Sequence, residues 1–193
     1  MKDKKKVEDV KKKKVVQMDS KYLVDLTIRT RRVYLQGVID EQVVKAVTEE
    51  LLLLDSIKKA PITLFINSPG GLVTGTLSII DTMEAIKSEV HTVVVGHACS
   101  GAALISVCGK TRGMSKRSIW MIHPMTAGVV DYHSFMKDKM EGLGLLDDTI
   151  DGIISKFTKL PVALRKKYKN GEVWLNAQQC KKYKVIDKII TKL

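Results

Sequence analysis

Thr92-Val93-Val94-Val95-Gly96-His97-Ala98-Cys99-Ser100-Gly101-Ala102-Ala103-Leu104-Ile105 decides how this chain folds. One apolar run enters a turn of small residues and a second leaves it. That pattern reads as a buried strand, a tight elbow and a helix. A hydroxyl at such an elbow sits at a helix N-terminus, beside unpaired backbone N–H groups. Those groups can hold a developing oxyanion. Ser100 is therefore a candidate nucleophile, and it needs a base, an acid and a further oxyanion donor.

On the N-terminal side, Arg32 to Gly37 reads as a strand ending in a turn. A helix is expected from about Asp40 to Lys58, with Val43, Val44, Val47, Leu51 and Leu54 at helical spacing. Ile62 to Ile66 is a short apolar strand. Asn67-Ser68-Pro69-Gly70-Gly71 has the composition of a turn, although a glycine pair after a buried strand also lets backbone N–H groups approach a ligand closely. Leu72 to Lys87 reads as a second helix and Val90 to Val95 as the next strand. Beyond the elbow, a strand is expected at Ser118 to Ile122 and a long helical stretch from about Asp131 to Phe157. Pro161 suits the first turn of a short helix. Gln178 to Tyr183 reads as helix and Val185 to Ile190 as strand. Strands alternating with helices imply an α/β fold with a largely parallel sheet.

The chain has 193 residues and a 45% apolar content, enough for one domain with a substantial core. No apolar run approaches the roughly 20 residues needed to span a bilayer. No apolar segment of a secretory signal is visible at the N-terminus. The three cysteines, Cys99, Cys108 and Cys180, lack paired metal spacing. They are expected to be reduced thiols in a cytoplasmic protein. Net charge is +12, and part of it is local: Met1 to Lys14 holds eight lysines. Residues 1–20 are read as a solvated lysine-rich tail and residues 21–193 as a single domain. Few aromatics interleave with the lysines and no nucleic-acid motif is visible, so neither a nucleic-acid nor a membrane partner is expected.

Four histidines are candidates for a base. His123 ends the apolar strand Ile119-Trp120-Met121-Ile122, and strand ends are where α/β folds display reactive groups. His97 is a candidate lining group, while His91 and His133 read as surface residues. Glu172, in Asn170-Gly171-Glu172-Val173-Trp174, is the candidate carboxylate; taken alone it reads as a solvated surface residue.

The order of these elements resembles the ClpP family, the proteolytic subunits of ATP-dependent Clp proteases. The matching residues are Phe65-Ile66-Asn67-Ser68-Pro69-Gly70-Gly71, Ile80-Asp81-Thr82-Met83, Gly96-His97-Ala98-Cys99-Ser100, Met121-Ile122-His123-Pro124 and Trp174-Leu175-Asn176-Ala177. The resemblance runs from about Tyr22 to Leu193. It implies a ClpP/crotonase-like α/β fold of repeated β-β-α units with a protruding handle helix around Asp131 to Phe157. It implies a serine endopeptidase acting on unfolded or small polypeptides, with Ser100 as nucleophile and His123 as base. The oxyanion donors fall on the amides of Gly71 and Gly101. The resemblance further implies a homo-oligomer of heptameric rings, stacked in pairs as a tetradecamer around a chamber, fed by an AAA+ unfoldase. No metal or organic cofactor is implied; ATP would be used by the partner.

The chain departs from that family at several positions. Glu172 falls where an aspartate is usual for the third triad member, with Asp187 the nearest alternative. The neighbours Gly171 and Val173 replace an arginine that links rings. Of the usual aromatic positions in the ATPase docking groove, at Thr63, Phe65 and Ala85, only Phe65 keeps its bulk. The loop Lys110 to Lys116 is shorter. Three other readings stay open: a viral ClpP-like protease that processes capsid or scaffold proteins, a non-catalytic ring subunit, and a crotonase-type acyl-CoA enzyme.

Overall fold

The computed structural model describes residues 20–128 and 132–192. The lysine tail lies outside them, as do Asp131, where the long helix was expected to begin, and the side chain of His133. The chain divides into two compact units, Met1–Thr30 and Arg31–Leu193. Within the first, helix α1 (Ser20–Thr30) carries an Arg29–Asp25 ion pair at 2.8 Å, one helical turn apart. The sequence reading assigned no helix there.

The second unit is a seven-stranded sheet with covering helices. In chain order its elements are β1 (Arg32–Ile39), α2 (Glu41–Ile57), β2 (Ile62–Gly71), α3 (Val73–Ala85), β3 (Val90–Cys99) and α4 (Gly101–Val107). Then follow β4 (Arg112–Ser115), β5 (Ile119–Ile122), α5 (His133–Phe157), α6 (Val162–Tyr168), β6 (Val173–Asn176), α7 (Ala177–Lys182) and β7 (Lys188–Ile190). Asp40 opens α2 by accepting a hydrogen bond from the Val43 amide at 2.8 Å. Val47, Leu51 and Leu54 are its buried face, while Leu52, Leu53 and Ile57 are exposed among its polar residues.

The sheet forks at Gly96. Strands β1, β2, β3, β4 and β7 run parallel in that order, with Thr92–Val94 of β3 against Arg112–Met114 of β4. Past Gly96 (φ +95), the same strand leaves β4 and pairs His97–Cys99 with Ile119–Met121 of β5. Strand β6 then adds antiparallel to β5. Ser118 stitches the fork: its hydroxyl accepts from the Gly96 amide at 2.9 Å and donates to the Val94 carbonyl at 3.2 Å. One branch of the fork therefore carries the elbow and the far ends of β5 and β6.

Four differences from the sequence reading have physical causes. Asn67–Gly71 continues β2 instead of turning. Its glycines serve close approach: a Cβ on Gly71 would lie 2.3 Å from the Ile39 carbonyl oxygen. Strand β3 extends to Cys99, beyond the expected Val95, because β5 receives its second half. Strands β4 and β6, each of four residues, are too short to announce themselves by periodicity. The last strand is Lys188–Ile190 only, since Val185 and Ile186 turn in from α7 with amides bonded to the Cys180 carbonyl.

All seven residues of α4 are buried. Trp120, fully buried on β5, donates its indole N–H to the Ala103 carbonyl at 3.3 Å and the Ser106 hydroxyl at 3.2 Å. Ser106 passes its own proton to the Ala103 carbonyl at 2.7 Å, so this buried polar cluster is satisfied. It fixes α4, and thus the elbow, against β5. The long helix α5 buries Ile150 and Ile154 near its C-terminal end, whereas Phe135, Met140 and Leu145 nearer its start are exposed. Its first turns thus project from the sheet as a handle.

On the other branch, Arg112 clamps β4 to β7 and to the end of α5. Its guanidinium meets both Asp187 carboxylate oxygens, at 3.1 and 2.6 Å, and donates to the Phe157 and Lys184 carbonyls at 2.5 and 3.0 Å. Hydrogen bonding to Arg112 holds the Asp187 carboxyl below its ordinary value of 3.8. Asp55 is held lower still, at about 2, by its hydrogen bond to Lys59 and by both the hydroxyl and the amide of Ser88. A carboxylate whose folded-state pKa is depressed stabilises the fold above its unfolded value, and that contribution is lost as pH falls through the folded one. Stability is therefore expected to decline below about pH 4. Denaturant titrations should find Asp187→Asn less stable than the parent at pH 7, with the gap closing towards pH 3. A gap that persists at pH 3 would mean the charge is not what the clamp supplies.

Candidate active site

The elbow adopts an unusual backbone. Ser100 has φ +55 and ψ −124, one of three non-glycine residues with positive φ among those described. A conformation of this kind costs of order 1–3 kcal/mol and survives only where its surroundings hold it. Those surroundings are visible. The Ser100 amide donates to the Met121 carbonyl at 2.8 Å, tying the elbow to β5. The Ser100 carbonyl accepts from Ala103 and Leu104, at 3.0 and 3.3 Å, and so starts α4. Gly101 is the first residue of that helix, and its N–H has no acceptor within it.

Strand β2 passes directly over the elbow. A Cβ on Gly70 would lie 2.6 Å from the Cys99 carbonyl oxygen, 2.7 Å from Ser100 Cβ and 2.9 Å from the Gly101 nitrogen. Gly70 also has φ +94, so it is required twice over, by backbone conformation and by space. Ser68, fully buried beside it, accepts from the Gly70 amide at 3.1 Å and shapes this end of the strand. The Gly70 backbone thus lies against Ser100 and the start of α4, whereas Gly71 packs against Ile39 and lines a separate hollow with Val38, Asp40 and Leu72.

His123 and Glu172 arrive on the paired strands β5 and β6. The antiparallel register matches Met121 with Trp174 and Ile122 with Val173. His123 and Glu172 are the next residue on each chain segment beyond the end of that ladder. The Glu172 carboxylate accepts from Trp174 Nε1 at 2.7 Å. Among the described residues no hydrogen bond joins His123 to Ser100 or to Glu172. Burial, and after it the negative charge of Glu172, push the Cys99 thiol up.

Ser100, Gly101 and His123 line one cavity of about 30 Å³. The rest of its lining is Val73, Thr76, Leu104, Ile122, Met125 and Ile150. The remaining candidates fall elsewhere. Asp187 is engaged by Arg112 on the β4–β7 branch, while His123 and Glu172 occupy the other. His97 pairs with Ile119 at the start of the β3–β5 ladder, not at its end. His91 meets the Thr111 hydroxyl at 2.9 Å near the start of β3.

Phe65 lies on the sheet surface in a separate hollow of about 170 Å³, shared with Arg32, Tyr34 and Val95. The Tyr34 ring stacks on Phe65 with centroids 5.3 Å apart, and the Arg32 guanidinium lies 5.7 Å from the Phe65 centroid. Ala85 lines a different surface hollow, with Leu52 and Leu77. Sequence reasoning missed Tyr34 and Thr76. Tyr34 could have been found as the β1 partner of Phe65. Thr76 could have been found as a polar residue three positions after Val73 and four before Ile80, on the buried face of a helix.

An α/β sheet with a serine elbow, and a histidine at the next strand's end, is the frame of a serine hydrolase. The Clp protease family model matches residues 16–193, so this chain belongs to the Clp protease family, whose proteolytic subunits are serine-type peptidases. It is 34% identical over 171 residues to the ATP-dependent Clp protease proteolytic subunit 1 of Rhodopirellula baltica, covering 87% of this chain and 75% of that protein. It is 30% identical over 167 residues to the ATP-dependent Clp protease proteolytic subunit of Carsonella ruddii, covering 86% of each. Among the described residues no helix is long and apolar enough to cross a membrane.

Proposed function

We propose that this chain is a serine endopeptidase subunit that cuts unfolded or small polypeptides within an oligomeric chamber in the cytoplasm. Ser100 is the nucleophile, His123 the base and Glu172 the carboxylate that orients it. The strongest support is the elbow itself: a strained serine held by Met121, with Gly70 packed against it.

The chemistry follows from those positions. His123 takes the Ser100 proton as Oγ attacks the peptide carbonyl carbon. The carbonyl oxygen becomes an oxyanion, held by the amides of Gly71 and Gly101. The C–N bond then breaks, and His123 hands its proton to the leaving amine. Water, deprotonated by His123, attacks the acyl-enzyme; the C–Oγ bond breaks and Ser100 recovers its proton. Because the base must be neutral imidazole, acylation slows on acidification.

The exposed apolar side of α5 supports ring-to-ring contact through the handle, in stacked heptamers. The hollow around Phe65 and Tyr34 supports docking of an apolar loop from an AAA+ unfoldase. Tyr34 adds aromatic area that Thr63 lacks. Incubation with a fluorophosphonate probe and with casein tests the reading. Labelling of a single serine together with casein cleavage is expected. An assembled protein that neither labels nor cleaves would favour a non-catalytic ring subunit.

A further inference from the structure

The two tryptophans of this chain do different work. Trp120 is fully buried, and its indole N–H serves the cluster that fixes α4. Trp174 is 53% exposed, so its ring adds little to the core. Its indole N–H donates instead to Glu172 Oε2 at 2.7 Å. Trp174 stands on β6 opposite Met121, the residue whose carbonyl holds the Ser100 amide. Glu172 lies two residues earlier, immediately before β6. Residues two apart in an extended chain point to the same side, which puts the ring within reach of the carboxylate.

A glutamate that orients a catalytic imidazole has a disadvantage against an aspartate. It has one more rotatable bond, and that freedom is lost each time the carboxylate is brought to bear. A fixed donor takes up that loss before the reaction starts. The indole suits the task. Its N–H is placed by only two side-chain torsions, and it donates without accepting, so it cannot draw a proton from the histidine. A hydrogen bond to an ionised acceptor is also stronger than one between neutral groups. The bond occupies one oxygen of a carboxylate that has two, and each can accept separately. An aspartate at the same position would be one methylene short of the indole.

We propose that Trp174 is a positioning residue: its indole N–H fixes the rotamer of Glu172, and this pairing lets a glutamate serve as the acid at position 172. The two positions form one unit, and a change at either undoes it. The proposal rests on the peptidase reading above, in which Glu172 orients His123, and adds a residue that acts through that carboxylate.

A double-mutant cycle on the assembled full chain tests it, with Glu172→Asp, Trp174→Phe and the two together. Against a fluorogenic peptide, Trp174→Phe should lower kcat several-fold with KM little changed, since the indole acts on the partner of the imidazole and not on the substrate. Glu172→Asp should lower kcat as well, because the shorter acid falls short of the indole. Adding Trp174→Phe to Glu172→Asp should then change kcat by less than about twofold, for the bond it removes is already lost. A tryptophan that merely holds β6 in place would cost the same factor in both backgrounds, and that result overturns the proposal. So does Trp174→Phe with the parental kcat. The ultraviolet Raman band of the indole N–H supplies a readout that needs no turnover. The signature of a hydrogen-bonded indole should be present in the parent and lost in Glu172→Asp, with the Trp120 signal cancelling in the difference. Identical bands in the two proteins overturn the proposal. Fluorophosphonate labelling and cleavage that persist while the two substitutions prove independent defeat this proposal alone. Absence of both in the parent defeats the peptidase reading and this one with it.

Discussion

Ser100→Ala is expected to abolish peptide hydrolysis, with kcat falling by about 10⁶, the loss typical when a catalytic serine is removed from a serine peptidase. No neighbouring group can take over. Cys99 precedes it but is buried with its thiol pushed up, so it offers little thiolate, and it lies inside the β3–β5 ladder. The elbow allows a second, independent readout. Ser100 sits at φ +55, where a Cβ is strained. Ser100→Gly removes that strain as well as the nucleophile, so it should be inactive yet more stable than Ser100→Ala, by about 1 kcal/mol. Denaturant titration of the two variants measures the difference. Ser100→Ala that still cleaves at the parental rate would place the nucleophile elsewhere, whatever the stabilities.

The elbow was legible because its signal is local: two apolar runs and the small residues between them. The histidine was legible for the same reason, as a polar residue ending a short apolar strand. What escaped was information held between distant segments. Asn67–Gly71 has the composition of a turn, but its glycines are dictated by Ile39, Cys99 and Gly101 pressing on the strand from two sides. The fork at Gly96 depends on Ser118 reaching back to bridge it. Glu172 alone looks like a solvated glutamate, and only the antiparallel pairing of β5 with β6 brings its segment to the same end of the sheet as His123. Thr76 could not be singled out without knowing that position 101 faces it.

With Glu172 as the proposed acid, Glu172→Gln is expected to lower kcat by about 10⁴, the effect of losing the carboxylate that fixes the tautomer of a catalytic imidazole. Glutamine has the same shape but carries an amide, which can no longer stabilise the imidazolium that forms as Ser100 is deprotonated. The longer side chain of glutamate, set against an aspartate, is steadied by Trp174. Its indole N–H donates to one carboxylate oxygen, Oε2, at 2.7 Å. Trp174→Phe removes that anchor and keeps the ring's bulk. It should cost several-fold in kcat, far less than the glutamine variant, because the charge remains. Asp187→Asn should leave kcat intact at neutral pH while destabilising the fold, since that carboxylate serves Arg112 on the other branch of the sheet. Single-turnover kinetics with an ester substrate would separate acylation from later steps. If Glu172→Gln acylates as fast as the parent, His123 is oriented by something other than Glu172, and the assignment of the acid fails while that of Ser100 stands.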